Sequence, residues 1–375
     1  MEFFCFDSVD EDGYISSGRA LNGIRTAMWV ERYRDTGEFT FKAPVSSNLR
    51  TLLPVGSLIS HIDTLEVMMV ESHEIDDDVK DNEPEIEIRG SSLESYLKQR
   101  SVGDDIETYV FDGHRLVVTN DPYELAFGTS WEQVKTIIEH HLNDNFNIPN
   151  DHVPGFVTIS DQQHIGPSTA EARIIRKGNL HDAVLDLLAI DDFGIRVHRP
   201  NAASVTPGTT EFRIHNGTDR TEDVIFSYTL GDLENAQYFW SDKALKTDYH
   251  CVATYSQLRS DSAITGFPRR IMYVDCTDID GHLAEDDIPT FMEAVGDAMD
   301  VRGQMLLRSQ VSRSILSTNV SKNTNYQFRT DYFVGDLVTV NGNYDTSAIM
   351  RVTEHVEFQD ENGESGYPTL SALNE

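Results

Sequence analysis

The sequence predicts a mainly β fold with α+β insertions, and three observations carry that expectation. Short runs of alternating apolar and polar residues, bounded by Gly, Pro, Asn and Asp, fill both terminal thirds of the 375-residue chain. Helical periodicity is confined to a few stretches between and within them. One pattern occurs twice. Val55-Gly56-Ser57-Leu58-Ile59-Ser60-His61 near the N-terminus shares its alternation and its glycine with Val334-Gly335-Asp336-Leu337-Val338-Thr339-Val340 near the C-terminus. A second β segment with a common signature follows each, Met69-Val70-Glu71-Ser72-His73 in the first and Arg351-Val352-Thr353-Glu354-His355 in the second. A glycine at the start of a strand suits a backbone position with φ > 0 or a close backbone approach. Glycine before alternating apolar residues is common in β proteins, so the pattern leaves duplication and coincidence open; a duplicated β unit suits a ring-building protein better than an enzyme.

In chain order, Trp29, Glu31 and Tyr33 alternate with Val30 and Arg32, Asp35-Thr36-Gly37 turns the chain, and Phe39 and Phe41 alternate with Thr40 and Lys42 before Ala43-Pro44. This predicts a hairpin with aromatic residues on one face. After Leu52-Leu53-Pro54 come the Gly56 strand, a strand over 65–75, an acidic loop at Asp76-Asp77-Asp78 and a strand over 85–90. Ser91 or Ser92 caps a short helix holding Leu93, Tyr96 and Leu97, and a domain boundary falls near 101–105. Ser130-Trp131-Glu132-Gln133 fits a capping box, with Val134, Ile137, Ile138 and Leu142 on one helical face. A second helix starts near Asn179 with Leu180, Val184, Leu187 and Leu188 inward; 149–167, between the helices, reads as loop, and 195–197 and 212–214 as short strands.

Strand character returns at 224–228, 236–240, 250–255 and 270–274. A helix from near Asp287 tolerates Pro289 in its first turn and puts Ile288, Phe291, Met292, Val295 and Met299 on one stripe; Gly303 bends or divides it. The chain ends with the Gly335 strand, a turn at Asn341-Gly342, a strand over 350–358, a turn at Asn362-Gly363 and a strand over 367–373, both Asn-Gly pairs being hairpin signals. The expected organisation is a β domain at 1–103, a mixed α/β region at 104–222, and a second β domain at 223–375 with a helical insertion at about 286–315.

The formal net charge is −33, from 63 acidic and 30 basic residues, and the basic ones are 22 Arg against only 8 Lys. Such a surface repels itself at low salt, whereas at 1 M salt the Debye length falls to about 3 Å. High Asp and low Lys point to a halophilic host; an ordinary acidic protein is the blander reading. The charge argues against broad attraction to nucleic-acid backbone, since that needs clustered Lys and Arg. No stretch reaches the roughly 20 apolar residues of a membrane helix, and the acidic start Met1-Glu2-Phe3-Phe4-Cys5-Phe6-Asp7 carries no readable secretion signal. Cys5, Cys251 and Cys276 have no metal spacing and read as reduced, buried residues.

Chemical motifs are fragments. Ser95-Tyr96-Leu97-Lys98 spells S-x-x-K without its companion elements. Asp278-Ile279-Asp280-Gly281 with Asp287 partly resembles a calcium loop, but Cys276 occupies the first ligand position and the terminal Glu is missing. His140-His141 lacks an HExxH pattern. With 63 carboxylates, proximity in sequence selects no acid/base pair. The expectation is no catalytic residue, no cofactor and no metal.

The order of elements resembles the tail-hub family of tailed viruses, in particular the baseplate hub proteins of siphoviruses. The matching stretches are Met28-Trp29-Val30-Glu31-Arg32-Tyr33 leading to Gly37-Glu38-Phe39-Thr40-Phe41, Leu52-Leu53-Pro54-Val55-Gly56-Ser57-Leu58-Ile59, Ile86-Glu87-Ile88-Arg89-Gly90-Ser91-Ser92-Leu93, 226–253, and Asp331-Tyr332-Phe333-Val334-Gly335-Asp336-Leu337-Val338-Thr339-Val340. Trp29, Gly37, Phe39, Gly56, Gly90, Gly335 and Asp336 are the structural motif positions. The resemblance implies two tail-tube-like β-barrel domains and a homotrimer whose six similar barrels surround a channel, joining a six-fold tube to a three-fold tip. It implies a structural virion protein of the tail tip, assembled in the host cytoplasm, with a distal-tail ring protein, a tape-measure protein and tip or receptor-binding proteins as partners. DNA would pass the lumen without specific binding. The alternatives are a tail-tip enzyme acting on the host envelope and a six-copy distal-tail ring protein; no extra domain is evident to carry such an activity.

Overall fold

A computed structural model describes residues 1–6, 18–76, 84–102, 109–111, 116–118, 123–142, 156–160, 171–176, 178–199, 210–241, 245–253, 256–260, 268–277, 296, 299–300, 302–304, 306–307, 313–321, 324–343 and 346–372. The chain opens with β1 (Phe3–Phe6) and β2 (Arg19–Ala20), then the hairpin β3 (Thr26–Arg32) and β4 (Glu38–Pro44). One helical turn, α1 (Leu49–Leu52), leads into β5 (Leu58–His61), β6 (Met68–Asp76) and β7 (Glu85–Ser92), followed by α2 (Ser95–Lys98) and β8 (Ser101–Val102). The middle region holds β9 (Tyr109–Phe111), β10 (Leu116–Val118), β11 (Tyr123–Gly128), α3 (Ser130–Leu142), β12 (Phe156–Ser160), β13 (Glu171–Arg176), β14 (Gly178–Asn179), α4 (Leu180–Ile190), β15 (Gly194–His198) and β16 (Thr210–His215). The rest comprises β17 (Ile225–Ser227), β18 (Leu233–Ser241), β19 (Asp248–Val252), β20 (Gln257–Arg259), β21 (Ile271–Asp275), β22 (Arg313–Val320), β23 (Leu337–Asn341), β24 (Ser347–Asp360) and β25 (Gly363–Ala372).

Both ends of the sequence meet in one 11-stranded sheet of order β17-β23-β24-β3-β4-β7-β6-β5-β1-β2, with β25 also on β24. The join is the antiparallel pair β24–β3, running from Glu354↔Arg32 to Gln359↔Ala27. The long β24 makes this possible. One of its edges is taken by β25 from Met350 to Asp360. Its other edge is shared end to end, by β23 over Ser347 to Arg351 and by β3 over Glu354 to Gln359.

Three apolar cores lie behind these strands and a fourth lies in the connection between β18 and β22. Alternation on β3 and β4 puts Trp29, Phe39 and Phe41 on the same buried face, with ring centroids 6.3 Å (Trp29–Phe39) and 4.8 Å (Phe39–Phe41) apart. Phe226, Tyr332, Val338, Val340, Met350 and Val352 build the counterpart core at the other end of the sheet. The helices α3 and α4 bury Val134, Ile137, Ile138, Leu180, Val184 and Leu188 against Phe212, Ile214, Leu58, Val67 and Leu97, tying the middle region to the N-terminal strands. Tyr249, Cys251, Val274, Cys276 and Met299 form the small fourth core.

Several local expectations need correction. The capping box of α3 begins one residue earlier: Thr129 N donates to Glu132 Oε2 at 2.8 Å and Glu132 N to Thr129 Oγ1 at 3.4 Å. Ser91 and Ser92 end β7 instead of capping α2, and Ser92 Oγ accepts a bond from Gly37 N at 2.8 Å. Within 149–167, read as loop, β12 pairs in parallel with β16, a long-range contact invisible to local periodicity. The strand β22 begins at Arg313, inside the stretch assigned to the helical insertion. The Asn341-Gly342 turn is wider than a two-residue hairpin, with Gly342 N donating to Thr346 O at 2.9 Å. The helical stripe at 288–295, the calcium-like stretch at 278–287 and residues 77–78 lie outside the described residues.

Candidate assembly site: two glycine turns and the seam between them

Gly56 and Gly335 occupy the same backbone environment. Pro54 to Ser57 forms a β-turn closed by Ser57 N donating to Pro54 O at 3.0 Å, and Phe333 to Asp336 forms one closed by Asp336 N donating to Phe333 O at 3.2 Å. In each the glycine stands at the third position with φ of +89° and +98°, the geometry of a type II turn. Each turn then clamps the next strand reciprocally. Gly56 N donates to Val70 O (2.8 Å) and Val70 N to Ser57 O (2.9 Å), while Gly335 N donates to Val352 O (2.7 Å) and Val352 N to Asp336 O (2.9 Å). A register irregularity follows at the same place in both, between Val70 and Ser72 on β6 and between Val352 and Glu354 on β24.

The surroundings of the two turns differ. Pro54, Val55 and Gly56 are exposed, and a Cβ added at Gly56 would meet nothing within 4 Å. Val334, Gly335 and Asp336 are buried, and a Cβ at Gly335 would lie 2.8 Å from the Tyr33 ring and 3.0 Å from His215. The strap after β16 lies over this turn so closely that a Cβ on Gly217 would be 2.0 Å from Gly335 O. Asp336 holds the strap by accepting from Thr218 N (2.8 Å) and Arg220 Nε (2.8 Å), and braces its own turn by accepting from Phe333 N (2.9 Å). Burial pushes the Asp336 carboxyl up, and these bonds oppose that. Arg351 donates to Gly335 O, to Asn216 O (2.7 Å) and to the Asp192 carboxylate (3.0 Å), and Tyr33 Oη donates to Asp192 O at 2.6 Å.

The β3–β24 seam carries a partly buried charge cluster beside this turn. Arg329, at a positive φ of 63°, donates to Glu31 (2.6 Å) and to both oxygens of Glu357 (2.6 and 3.0 Å). Burial opposes its charge, but the two carboxylates hold the guanidinium above its ordinary range. Arg32 bridges Glu354 and Glu38, each at 2.6 Å. Burial, with the Arg329 charge second, lowers the imidazoles of His61 and His355 to about 3. Two further carboxyls are buried where the middle region meets β6 and α2. Burial raises Glu94 to about 7 and Glu66 well above the carboxylate range, with Glu31 adding repulsion at both. A polar cavity of about 350 Å³, lined by Glu31, Arg196, His198, Arg213, Arg220 and Arg329 among others, opens where these elements meet. Most of these arginines are already paired: Arg213 with Glu211, Arg220 with Asp336 and Arg329 with Glu31 and Glu357.

Of the residues singled out in the sequence, Trp29, Gly37, Phe39 and Gly90 share one neighbourhood. A Cβ on Gly90 would strike Met69 O at 1.9 Å and Phe39 at 2.5 Å. Gly56 lies on the same strand system, through Val70 opposite Gly90, whereas Gly335 and Asp336 belong to the other core. Ser95 and Lys98 are on α2, where Lys98 Nζ reaches Asp35 (2.7 Å) and Thr36 (2.8 Å). His141 is buried; the side chain of His140 is outside the described set. Among the described residues no group of three His, Cys, Asp or Glu is placed to hold a metal ion, and no helix is long and apolar enough to cross a membrane. The three cysteines are free and buried. Sequence reading missed Arg329 and Asp192 and gave Arg351 only a place in the second β signature, because Arg329 meets Glu31 and Arg351 meets Asp192 across long stretches of sequence.

The fold is that of phage tail proteins. The prophage MuSo2 43 kDa tail protein from Shewanella oneidensis aligns over 100% of this chain and 98% of its own, with TM-score 0.53 at 10% identity. The tail protein from Neisseria meningitidis MC58 aligns over 98% and 96% (TM-score 0.52, 12% identity), and the prophage tail protein gp18 from Listeria monocytogenes EGD-e over 98% and 94% (TM-score 0.51, 10% identity). No curated protein matches the sequence. The model of the siphovirus ReqiPepy6 Gp37-like protein family matches residues 12–369, and the chain belongs to that family.

Proposed function

We propose that the chain is a structural virion protein, a homotrimeric hub that closes the tail tube, adapts a six-fold tube to a three-fold tip and forms the conduit for genome ejection. One observation carries this reading: the Gly56 and Gly335 strand starts share turn, clamp and bulge, so three copies of the chain present six similar units about one axis. The units are assigned to 1–103 and 223–375, with 104–222 as the bridging region. Distal-tail, tape-measure and tip proteins are its partners at the tail tip after assembly in the host cytoplasm. With a net charge of −33, the channel wall repels DNA phosphate and offers it no site to bind. The same charge suits a salt-rich host, in which carboxylates pack side by side under screening.

The test is light scattering of the purified chain in molar salt combined with electron-microscopy class averages. Three copies in a ring with six similar lobes is the expected result. Six copies would make it a distal-tail ring protein, and hydrolysis of host envelope would make it an enzyme.

A further inference from the structure

The two β units differ at one edge, which is filled in one unit and, among the described residues, open in the other, and a matching strand lies elsewhere in the chain. On β24 both edges are filled, one by β25 and the other by β23 followed by β3. On the equivalent β6, β7 fills one edge from Met68 to Asp76, but β5 reaches only Met68 and Met69 on the other. Beyond the bulge, where β24 receives β3, no described strand pairs with 72–76 on that side. Ser72 and Glu74 are exposed, and so is the large apolar Ile75 (39%). An open edge with an exposed isoleucine is a template for another strand.

The strand that stands to the second unit as β3 stands to the first is β18. In the first unit the order is β3-β4-β7-β6-β5. In the second, β18 pairs antiparallel with β22, β22 lies against β25, and β25, β24 and β23 follow. The short β3–β4 turn corresponds to the segment 242–312, which explains why β18 and β22 are far apart in sequence. Among the described residues β18 has β22 as its one partner strand, leaving its outer edge open. Residues 235–241, Asn-Ala-Gln-Tyr-Phe-Trp-Ser, carry no charge in a chain of 63 acidic residues, so the acidic β6 edge would meet no like charge there.

Resting on the hub reading, we infer that β18 of one copy pairs antiparallel with β6 of a second copy over 72–76. This contact repeats between chains the β3–β24 seam made within each chain. It is head-to-tail, since the donor and acceptor edges are different surfaces, and closes into a ring when the number of copies matches the rotation.

Cysteine pairs placed across the seam test this. Glu74→Cys is combined in turn with Gln237→Cys, Tyr238→Cys, Phe239→Cys and Trp240→Cys to scan the register, under mild oxidation in molar salt. Ala27→Cys with Gln359→Cys, opposite each other on the β3–β24 seam, is the positive control within one chain. The expected result is reducible dimers and trimers on non-reducing gels for one or two adjacent combinations, and none for the single variants. A trimer by light scattering with no cross-link in any combination, while the control closes, overturns the strand assignment and leaves the hub reading standing. Cross-linking that stops at dimers overturns the head-to-tail arrangement. A chain that stays monomeric in molar salt overturns both.

Discussion

Gly56 and Gly335 make the same turn with the same clamp, yet one turn is bare and the other is sealed. At Gly335 the covering groups come from far along the sequence: Tyr33 after β3, His215 and the strap through Gly217 to Arg220, with Arg351 donating to the turn carbonyl. At Gly56 the space beyond the backbone is open. Backbone geometry is thus set by the local motif, while burial is set by what the rest of the chain brings to it. The second turn carries a carboxylate, Asp336, where the first carries Ser57, and it is the carboxylate that ties down the strap.

The largest expected effect breaks the sealed side. Arg329→Met leaves Glu31 and Glu357, 14% and 19% exposed, without their cation, and loss of one partner of a fully buried pair, the upper bound here, costs about 3–5 kcal/mol. Chemical denaturation should show a fall in midpoint at unchanged slope; a change near zero would mean that water already screens the cluster. Next is the matched pair Gly335→Ala and Gly56→Ala. Both incur the left-handed backbone penalty, about 1–2 kcal/mol. Only the Gly335→Ala change would also press a methyl group 2.8 Å from Tyr33, and this overpacking cost of about 1–3 kcal/mol brings its total to about 3 kcal/mol. Equal losses at the two sites would erase the comparison.

Much of the first unit was legible because its signals are local. Alternation placed Trp29, Phe39 and Phe41 on one face, and the repeated glycine marked both turns. What escaped reading depends on contacts between distant segments. Arg329 meets Glu31 across 298 positions of sequence and Arg351 meets Asp192 across 159, and no periodicity encodes such pairs. The parallel partnership of β12 with β16 was hidden for the same reason. In the candidate site, the glycines and Asp336 could be named in advance, but the cation cluster and the buried Glu66 and Glu94 could not.

A smaller effect comes from pH and separates two buried groups of opposite sign. His355 in the folded chain is lowered to about 3 from 6.5 by burial and then by Arg329. Between those values the unfolded chain holds a proton that the folded chain refuses, so stability is full above pH 6.5 and falls as pH drops, by at most about 1.4 kcal/mol per unit. His355→Gln should remove one such slope from thermal melts between about pH 6 and 4. Glu94 is raised by burial to about 7 from 4.5, so the folded chain keeps a proton that the unfolded chain releases. Its contribution is present at acid pH and lost as pH rises from 4.5 to about 7. Glu94→Gln keeps an oxygen to accept from Val197 N and should raise stability at about pH 8 relative to about pH 5. Parallel pH profiles for variants and parent would contradict both assignments.

The smallest effect sharpens the comparison from the bare side. Val55 sits in its turn at 62% exposure, while its counterpart Val334 is at 8%. Truncating an apolar side chain costs in proportion to the area it hides from water, about 25 cal/mol per Å². Val55 hides little, and the turn needs no particular side chain at the residue before its glycine. Val55→Ser should therefore shift the stability of the isolated chain by no more than about 0.5 kcal/mol, the range of an ordinary surface substitution. Val334→Ser removes buried methyl groups and also puts a hydroxyl beside the Tyr33 and Val352 core, where a donor without a partner adds about 1–3 kcal/mol. Differential scanning calorimetry of the two variants gives the ratio directly. A Val55→Ser loss as large as that of Val334→Ser would mean that another part of the same chain covers the first turn, and the contrast between a bare and a sealed turn would fall.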